Sequence, residues 1–147
     1  MKGLKVLIVS AAFVVSLQQA HAQNLCDRVS QIKHIPHKEE PVDDAAYNAF
    51  IKAGRAALPC LIAKVTDTRK MHDPRSAPGY VGIKTRVGDV AYFMLVRIAK
   101  IGFTEMLPDE VQENYRAEGV YAYFKFVQKK LNREWLQRRL EIWYRRS

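Results

Sequence analysis

Apolar residues recur at the 3.6-residue spacing of α-helices along most of the chain. This spacing predicts a helix that begins after Asp43 or Asp44, either of which can cap it, and that ends at Gly54. A second helix is predicted around Pro59, because a proline in the first turn loses no hydrogen bond. Its apolar stripe consists of Leu58, Leu61, Ile62 and Val65.

The helical spacing returns in the second half of the chain. One helix is predicted from Val87 to Ile98, with Gly102 as its stop, and another between Pro108 and Gly119. The stretch 120–127 could alternate as a strand or wrap as a helix. We predict a helix, because no partner strand is visible elsewhere.

A last helix is predicted near the C-terminus, with Asn132 as its N-cap and Leu131 placed to pack against Leu136. Its apolar positions, Leu136, Leu140 and Trp143, are expected to face inward. Its arginines at 138, 139, 145 and 146 are expected to face mostly outward.

These elements predict an all-α fold: a small single-domain helical bundle of about five to six helices over residues 43–147. Residues 23–42 form an N-terminal segment, with one short helix and then an extended linker interrupted at Pro36 and Pro41. Residues 69–86 carry prolines and glycines among basic and small side chains, which predicts a long loop and a candidate contact region.

The first 22 residues read as a secretory signal peptide. Lys2 and Lys5 precede an apolar run of 12 residues, Val6 to Leu17, and Ala20-His21-Ala22 then matches a cleavage site. The run is well short of the roughly 20 residues that cross a bilayer as a helix. We expect an exported protein, periplasmic or extracellular, that begins near Gln23. Lipidation is not expected, because Leu25 precedes Cys26 where a small residue would be needed.

Export predicts a structural disulfide between Cys26 and Cys60, since both cysteines belong to the mature chain. The bond would tie the segment 23–42 to the core and contribute roughly 2–4 kcal/mol. Catalysis by cysteine is not expected, because the pair lacks the C-x-x-C spacing of redox motifs.

The positive charge is concentrated at the C-terminus. The chain carries a formal charge of +9, and removal of Lys2 and Lys5 leaves +7. Residues 116–147 hold nine basic and three acidic side chains, which is +6 of that total. Such a surface attracts anionic partners, although a basic face can also serve only to keep a helix soluble.

Residues 45–99 combine a helix that ends near Gly54, a second that starts around Ala57-Leu58-Pro59-Cys60-Leu61-Ile62, and a third containing Arg86-Val87-Gly88-Asp89-Val90-Ala91. This pattern resembles a HEAT-type helical repeat. The resemblance implies packing of helix pairs rather than a long array. It also implies a scaffold that binds other macromolecules and has no chemistry of its own.

Catalytic and metal motifs are not evident in the sequence. His34 and His37 with Glu39 and Glu40 form the strongest metal candidate, but Pro36 prevents a regular helix there, so we predict a solvated linker and no metal or cofactor. Carboxylate pairs lie at predicted helix starts, where capping explains them. An envelope hydrolase is the least favoured class, because no nucleophile and base can be paired.

We therefore expect a non-enzymatic binding protein with a protein partner, for example an immunity or inhibitor protein. The alternative is a cationic protein that binds anionic lipid or glycan of the envelope; export disfavours nucleic acid. The sequence leaves the oligomeric state open. The candidate binding residues are basic or aromatic: Arg138, Arg139, Tyr144, Arg145, Arg146, Tyr121, Lys129, Lys130, Arg75 and Tyr80.

Overall fold

Six α-helices make up most of the computed structural model, which describes residues 24–38, 40–75 and 83–147. The helices are α1 (Ala45–Ala53), α2 (Leu58–Lys64), α3 (Val87–Ala99), α4 (Asp109–Glu118), α5 (Val120–Val127) and α6 (Lys130–Arg146). Two short 3₁₀ helices span Arg28–Gln31 and Gly54–Ala57. The described residues contain no β-strand, and the predicted all-α, single-domain bundle is confirmed. The predicted signal peptide lies outside the described residues.

Asp44, rather than Asp43, caps α1. Its Oδ1 accepts hydrogen bonds from the backbone N–H groups of Ala46 at 3.0 Å and Tyr47 at 2.9 Å. Its Oδ2 accepts from those of Lys33 at 2.7 Å and His34 at 3.0 Å. Burial alone would raise the pKa of Asp44, but the four backbone donors outweigh it and lower that pKa. One carboxylate thus joins α1 to the N-terminal segment.

Helix α3 lies at the centre of the bundle. Its residues 87–95 are all buried, as expected for a helix that is covered on every side. It packs most extensively on α2 and also contacts both 3₁₀ helices. The helix ends at Ala99, where Lys100 adopts the left-handed conformation with φ 54°. The predicted stop at Gly102 is therefore two residues too late.

The start of α3 lies directly against the end of α2 because residue 88 is a glycine. A Cβ atom at Gly88 would lie 2.2 Å from the carbonyl oxygen of Val65, so a side chain cannot fit there. The Gly88 N–H donates to the carbonyl of Asp67 at 2.9 Å. This contact sets the distance between the two helices.

The N-terminal segment is fixed to the bundle. The Cys26–Cys60 disulfide is present, as predicted, with a Cα–Cα distance of 5.4 Å. The predicted solvated linker is wrong at Ile35 and Pro36, which are buried, whereas His37, Lys38 and Glu40 are exposed. The Pro36 carbonyl accepts a hydrogen bond from the guanidinium of Arg97 on α3, which holds this part of the segment in place.

The two ends of the predicted loop 69–86 pair with each other and with the N-terminal segment. Isolated bridges join Lys70 to Arg86 and Ile35 to Arg75. Residues 76–82, including Tyr80, lie outside the described residues. The described ends of the loop therefore lie against the bundle close to the start of α3.

Aromatic side chains fill the space between α3, α5 and the turn after α3. The rings of Tyr92 and Tyr123 stack with centroids 5.2 Å apart, and Phe103 packs edge-on against both. The Tyr92 hydroxyl donates to the Phe103 carbonyl at 2.6 Å. Burial raises the pKa of Tyr92 far above its ordinary value. These rings belong to the core.

The start of α6 differs from the prediction. The helix begins at Lys130, and the amide of Asn132 donates to the carbonyl of Phe126 at 2.7 Å, so it satisfies the end of α5 instead of capping α6. Leu131 is 75% exposed, whereas Leu136 is fully buried, so the two do not pack together. Lys129 is the N-cap residue, so Asn132 lies inside the first turn of α6.

Candidate functional site

Three of the five exposed large apolar side chains among the described residues lie on the solvent side of α6. Leu131, Trp135 and Ile142 are 75%, 39% and 45% exposed. At 100° per residue they fall on one side of the helix, opposite the buried Leu136 and Leu140. Arg138 and Arg139 lie on or beside the same stripe and are exposed. We call Leu131, Trp135, Arg138, Arg139 and Ile142 the α6 outer face.

Trp135 is held in place at the centre of this face. Its ring meets Phe126 of α5 edge-on, with centroids 5.9 Å apart. The guanidinium of Arg139 lies 5.4 Å from the Trp135 ring centroid, in a cation–π arrangement. A tryptophan fixed on both sides loses little side-chain entropy when a partner covers it.

The face is basic, and few acidic side chains lie close enough to neutralise its positive charge. Arg138 lies 4.0 Å from Glu134 and Lys130 lies 3.7 Å from the same carboxylate, both as exposed pairs one helical turn apart. Such pairs contribute little and are screened by salt. Arg139 forms no ion pair among the described residues, and its guanidinium lies over the Trp135 ring. The arginines of the α6 outer face can therefore form ion pairs with the acidic groups of a partner.

The structure places the predicted binding residues on different parts of the molecule. Arg138 and Arg139 belong to the α6 outer face, and Lys129, Lys130, Arg145 and Arg146 are exposed at the two ends of α6. Tyr144 packs against the core from the inner side. Tyr121 and Arg75 lie on other elements, and Tyr80 is outside the described residues.

Arg75 is fixed in the fold. Its guanidinium forms an ion pair with Asp73 at 2.5 Å and lies over the rings of Phe93 and Phe124, at 4.6 and 5.0 Å from their centroids. Burial works to raise the pKa of Asp73, but its bonds to Arg75 lower that pKa overall. This arrangement anchors the loop to α3 and α5, which explains the residue without a binding role.

No match was found when the chain was compared with protein-family models, curated proteins and solved structures. The resemblance to a HEAT-type repeat stays a prediction.

Leu131, Trp135 and Ile142 are not among the predicted binding residues, which are arginines, lysines and tyrosines. Their signal is visible: Leu131, Trp135, Arg138 and Ile142 follow a spacing of four, three and four residues. The inward-facing Leu136, Leu140 and Trp143 also follow helical spacing. Periodicity alone therefore does not say which of the two stripes of α6 packs against the bundle.

A buried polar network joins α3, α5 and α6 behind this face. The Nη2 group of Arg133 donates to Asp89 Oδ1 at 2.8 Å, and the Tyr123 hydroxyl donates to the same oxygen at 3.1 Å. Arg133 Nη1 reaches the Val65 carbonyl at 3.2 Å, and Asp89 Oδ2 accepts from the Arg86 N–H at 2.8 Å. Burial, followed by the negative charge of Asp89, raises the pKa of Tyr123. The network fixes the orientation of α6.

Metal-binding side chains are not gathered anywhere in the described residues, where no group of three or more His, Cys, Asp or Glu converges. Glu39, one member of the predicted metal candidate, lies outside that part of the chain. The described helices also include none that is long and apolar enough to cross a bilayer.

Proposed function

We propose that this is an exported, non-enzymatic binding protein whose α6 outer face docks on another protein. The observation that carries the proposal is the row of exposed apolar residues, Leu131, Trp135 and Ile142, interleaved with Arg138 and Arg139. The Cys26–Cys60 disulfide and the signal-peptide pattern of residues 1–22 support export.

An amphipathic helix that binds in the groove of a partner protein presents exposed apolar side chains at helical spacing. A partner groove contacts such a helix through anchors one or two turns apart, here residues 131, 135 and 142. Tryptophan and arginine are also the residue types that most often carry binding energy at interfaces. The α6 outer face therefore has both the geometry and the composition of a docking helix.

The chemistry of the partner follows from charge. Residues 116–147 carry a net charge of +6, and arginines flank the apolar stripe. The complementary surface is an apolar groove with an acidic rim, which would speed association at low salt. An immunity or inhibitor protein is one form that this function can take.

A second candidate is a cationic protein that lies on the envelope surface and binds anionic lipid or glycan. The observation that favours it is the same amphipathic pattern, because helices with Trp and Leu beside arginines also lie at membrane interfaces. The two candidates differ in their response to salt. Binding by charge falls steeply as ionic strength rises, whereas a packed protein interface keeps much of its affinity.

The test is capture from envelope extract by the immobilised, oxidised mature protein, washed at low and then at high salt. We compare the wild type with Leu131→Ser/Trp135→Ala and with Ile51→Ser. Ile51 is a matched control, because it is an exposed apolar residue (41%) on α1. We expect one stoichiometric protein to survive high salt on the wild type and on Ile51→Ser, with at least tenfold less on the double variant.

Equal capture by all three proteins would contradict the docking face. Retention of only lipid or glycan, lost at high salt and reduced by Arg138→Gln/Arg139→Gln, would replace the protein partner with the envelope candidate.

A further inference from the structure

A cleft of about 630 Å³ lies between α5 and the segment that leads into α3. This volume is within the range of roughly 300–1,000 Å³ that is usual for small-molecule sites. Lys84 and Arg86 line one part, Tyr121, Phe124 and Lys125 of α5 line another, and Arg133 of α6 also contributes. Every charged residue of this lining is basic. We call it the cationic cleft.

Two of its four positive charges have no carboxylate partner among the described residues. Arg133 is paired with Asp89, and Lys125 is paired with Glu118 at 2.7 Å. Arg86 donates to a neutral acceptor, the Thr68 carbonyl, at 2.6 Å. Lys84 is exposed and has no ion pair in that part of the chain. The uncompensated charges therefore come from neighbouring positions of one segment.

The α5 wall carries two aromatic rings beside Lys125, whose charge is paired with Glu118. Phe124 is almost fully buried, and its ring packs edge-on against Phe93 and Tyr123 at centroid distances of 6.2 and 5.3 Å. Tyr121 is 37% exposed and adds a second aromatic ring to the lining. A ligand in the cleft would thus meet the uncompensated cations Lys84 and Arg86 on one side and the aromatic rings of α5 on the other.

From this arrangement we infer that the cationic cleft binds a phosphate monoester carried by an apolar or aromatic group. A phosphate monoester has a charge of about −1.5 to −2 at pH 7, which matches the two uncompensated cations, whereas a carboxylate would neutralise only one. Charge-assisted hydrogen bonds from Lys84 and Arg86 would hold the phosphate, and the α5 rings would cover the organic part.

The inference is independent of the proposed function. Arg133 is on the buried side of α6, whereas Leu131 and Trp135 are on the solvent side. Substitutions on the α6 outer face should therefore leave the cleft unchanged. The Trp135→Ala variant distinguishes the two proposals. It should lose docking through the α6 outer face and keep phosphate binding in the cationic cleft.

The test is a titration of the isotopically labelled, oxidised mature protein, followed by amide chemical shifts in NMR spectra. The probes are phenyl phosphate, inorganic phosphate and benzoate. We expect the shifts to localise at residues 83–86 and 121–128, with phenyl phosphate bound at least about tenfold more tightly than either other probe. Shifts spread evenly over the basic surface of α6 would overturn the inference.

Two variants distinguish specific binding in the cationic cleft from general attraction of a phosphate to a basic protein. Lys84→Gln should weaken phenyl phosphate binding about tenfold, while Lys52→Gln, an exposed lysine on α1, should leave it unchanged. Equal weakening by both substitutions, or by neither, would overturn the site.

A vesicle experiment identifies the source of the phosphate group. We compare sedimentation with phosphatidylcholine vesicles that do or do not contain phosphatidic acid. If the wild type sediments with vesicles that contain phosphatidic acid and the Lys84→Gln variant does not, the site is supported and a lipid is the source of the phosphate. Binding of phenyl phosphate without such sedimentation supports it with a soluble ester as its source.

Discussion

At the residue scale, Asp44 shows how one carboxylate can stabilise two parts of a chain. It accepts four backbone hydrogen bonds, two from the first turn of α1 and two from Lys33 and His34. Because its pKa is lower in the folded than in the unfolded protein, its contribution is fully present above the unfolded value of 3.8. The contribution is lost as the pH falls through the lower, folded value.

Asp44→Ala should therefore lower the free energy of unfolding by about 2 kcal/mol at pH 7, near the upper end for loss of an N-cap. The difference from the wild type should hold down to about pH 5 and shrink progressively below pH 4. Urea unfolding at several pH values measures it. Asp43→Ala is the matched control, because Asp43 is exposed and does not cap α1. A difference that grew on acidification would contradict the assignment.

At the element scale, the ends of α1, α2 and α4 could be predicted because local signals set them. Asp44, Pro59 and Gly119 act through their own backbone and the adjacent turn, and each lies at the predicted helix end. The start of α6 could not be predicted in this way. The amide of Asn132 is an equally good cap for α6 or partner for the Phe126 carbonyl, and only the packing of α5 against α6 decides between them.

The contact that orients α6 is the buried pair of Asp89 on α3 and Arg133 on α6, which are 3% or less exposed. Removing one member leaves a buried charge unpaired, so we expect Arg133→Met to cost about 3–5 kcal/mol. The double variant Asp89→Asn/Arg133→Met should cost clearly less than the sum of the single variants, because no unpaired charge remains. Chemical unfolding of the four proteins measures this coupling.

Arg138→Met serves as the control for that cycle. It removes an arginine from the exposed side of the same helix, and it should change the free energy of unfolding by no more than about 0.5 kcal/mol. Additive effects of Asp89→Asn and Arg133→Met would mean that the pair does not hold α6 in place.

At the scale of the whole molecule, contacts between distant parts of the chain decide what sequence patterns leave open. Pro36 is buried, and its carbonyl accepts a hydrogen bond from Arg97, which lies 61 residues further along the chain. The exposure of Leu131 and Ile142 likewise depends on which side of α6 the bundle covers. The basic character of this surface could be predicted from charge alone, whereas its apolar anchors required the tertiary structure.

The N-terminal segment is joined to the bundle at several places, among them the Cys26–Cys60 disulfide, the bonds to Asp44, the contact of Pro36 with Arg97 and the bridge from Ile35 to Arg75. The double variant Cys26→Ser/Cys60→Ser should lose about 2–4 kcal/mol of stability, because the unfolded chain regains the freedom of a loop closed over 34 positions. The other contacts remain, so the segment should stay docked in the folded state. Hydrogen exchange should then show the Lys33 and His34 amides still protected, up to the lowered global limit. Exchange of these amides at the rate of an unstructured peptide, with the helices still folded, would instead make the disulfide the sole attachment of the segment.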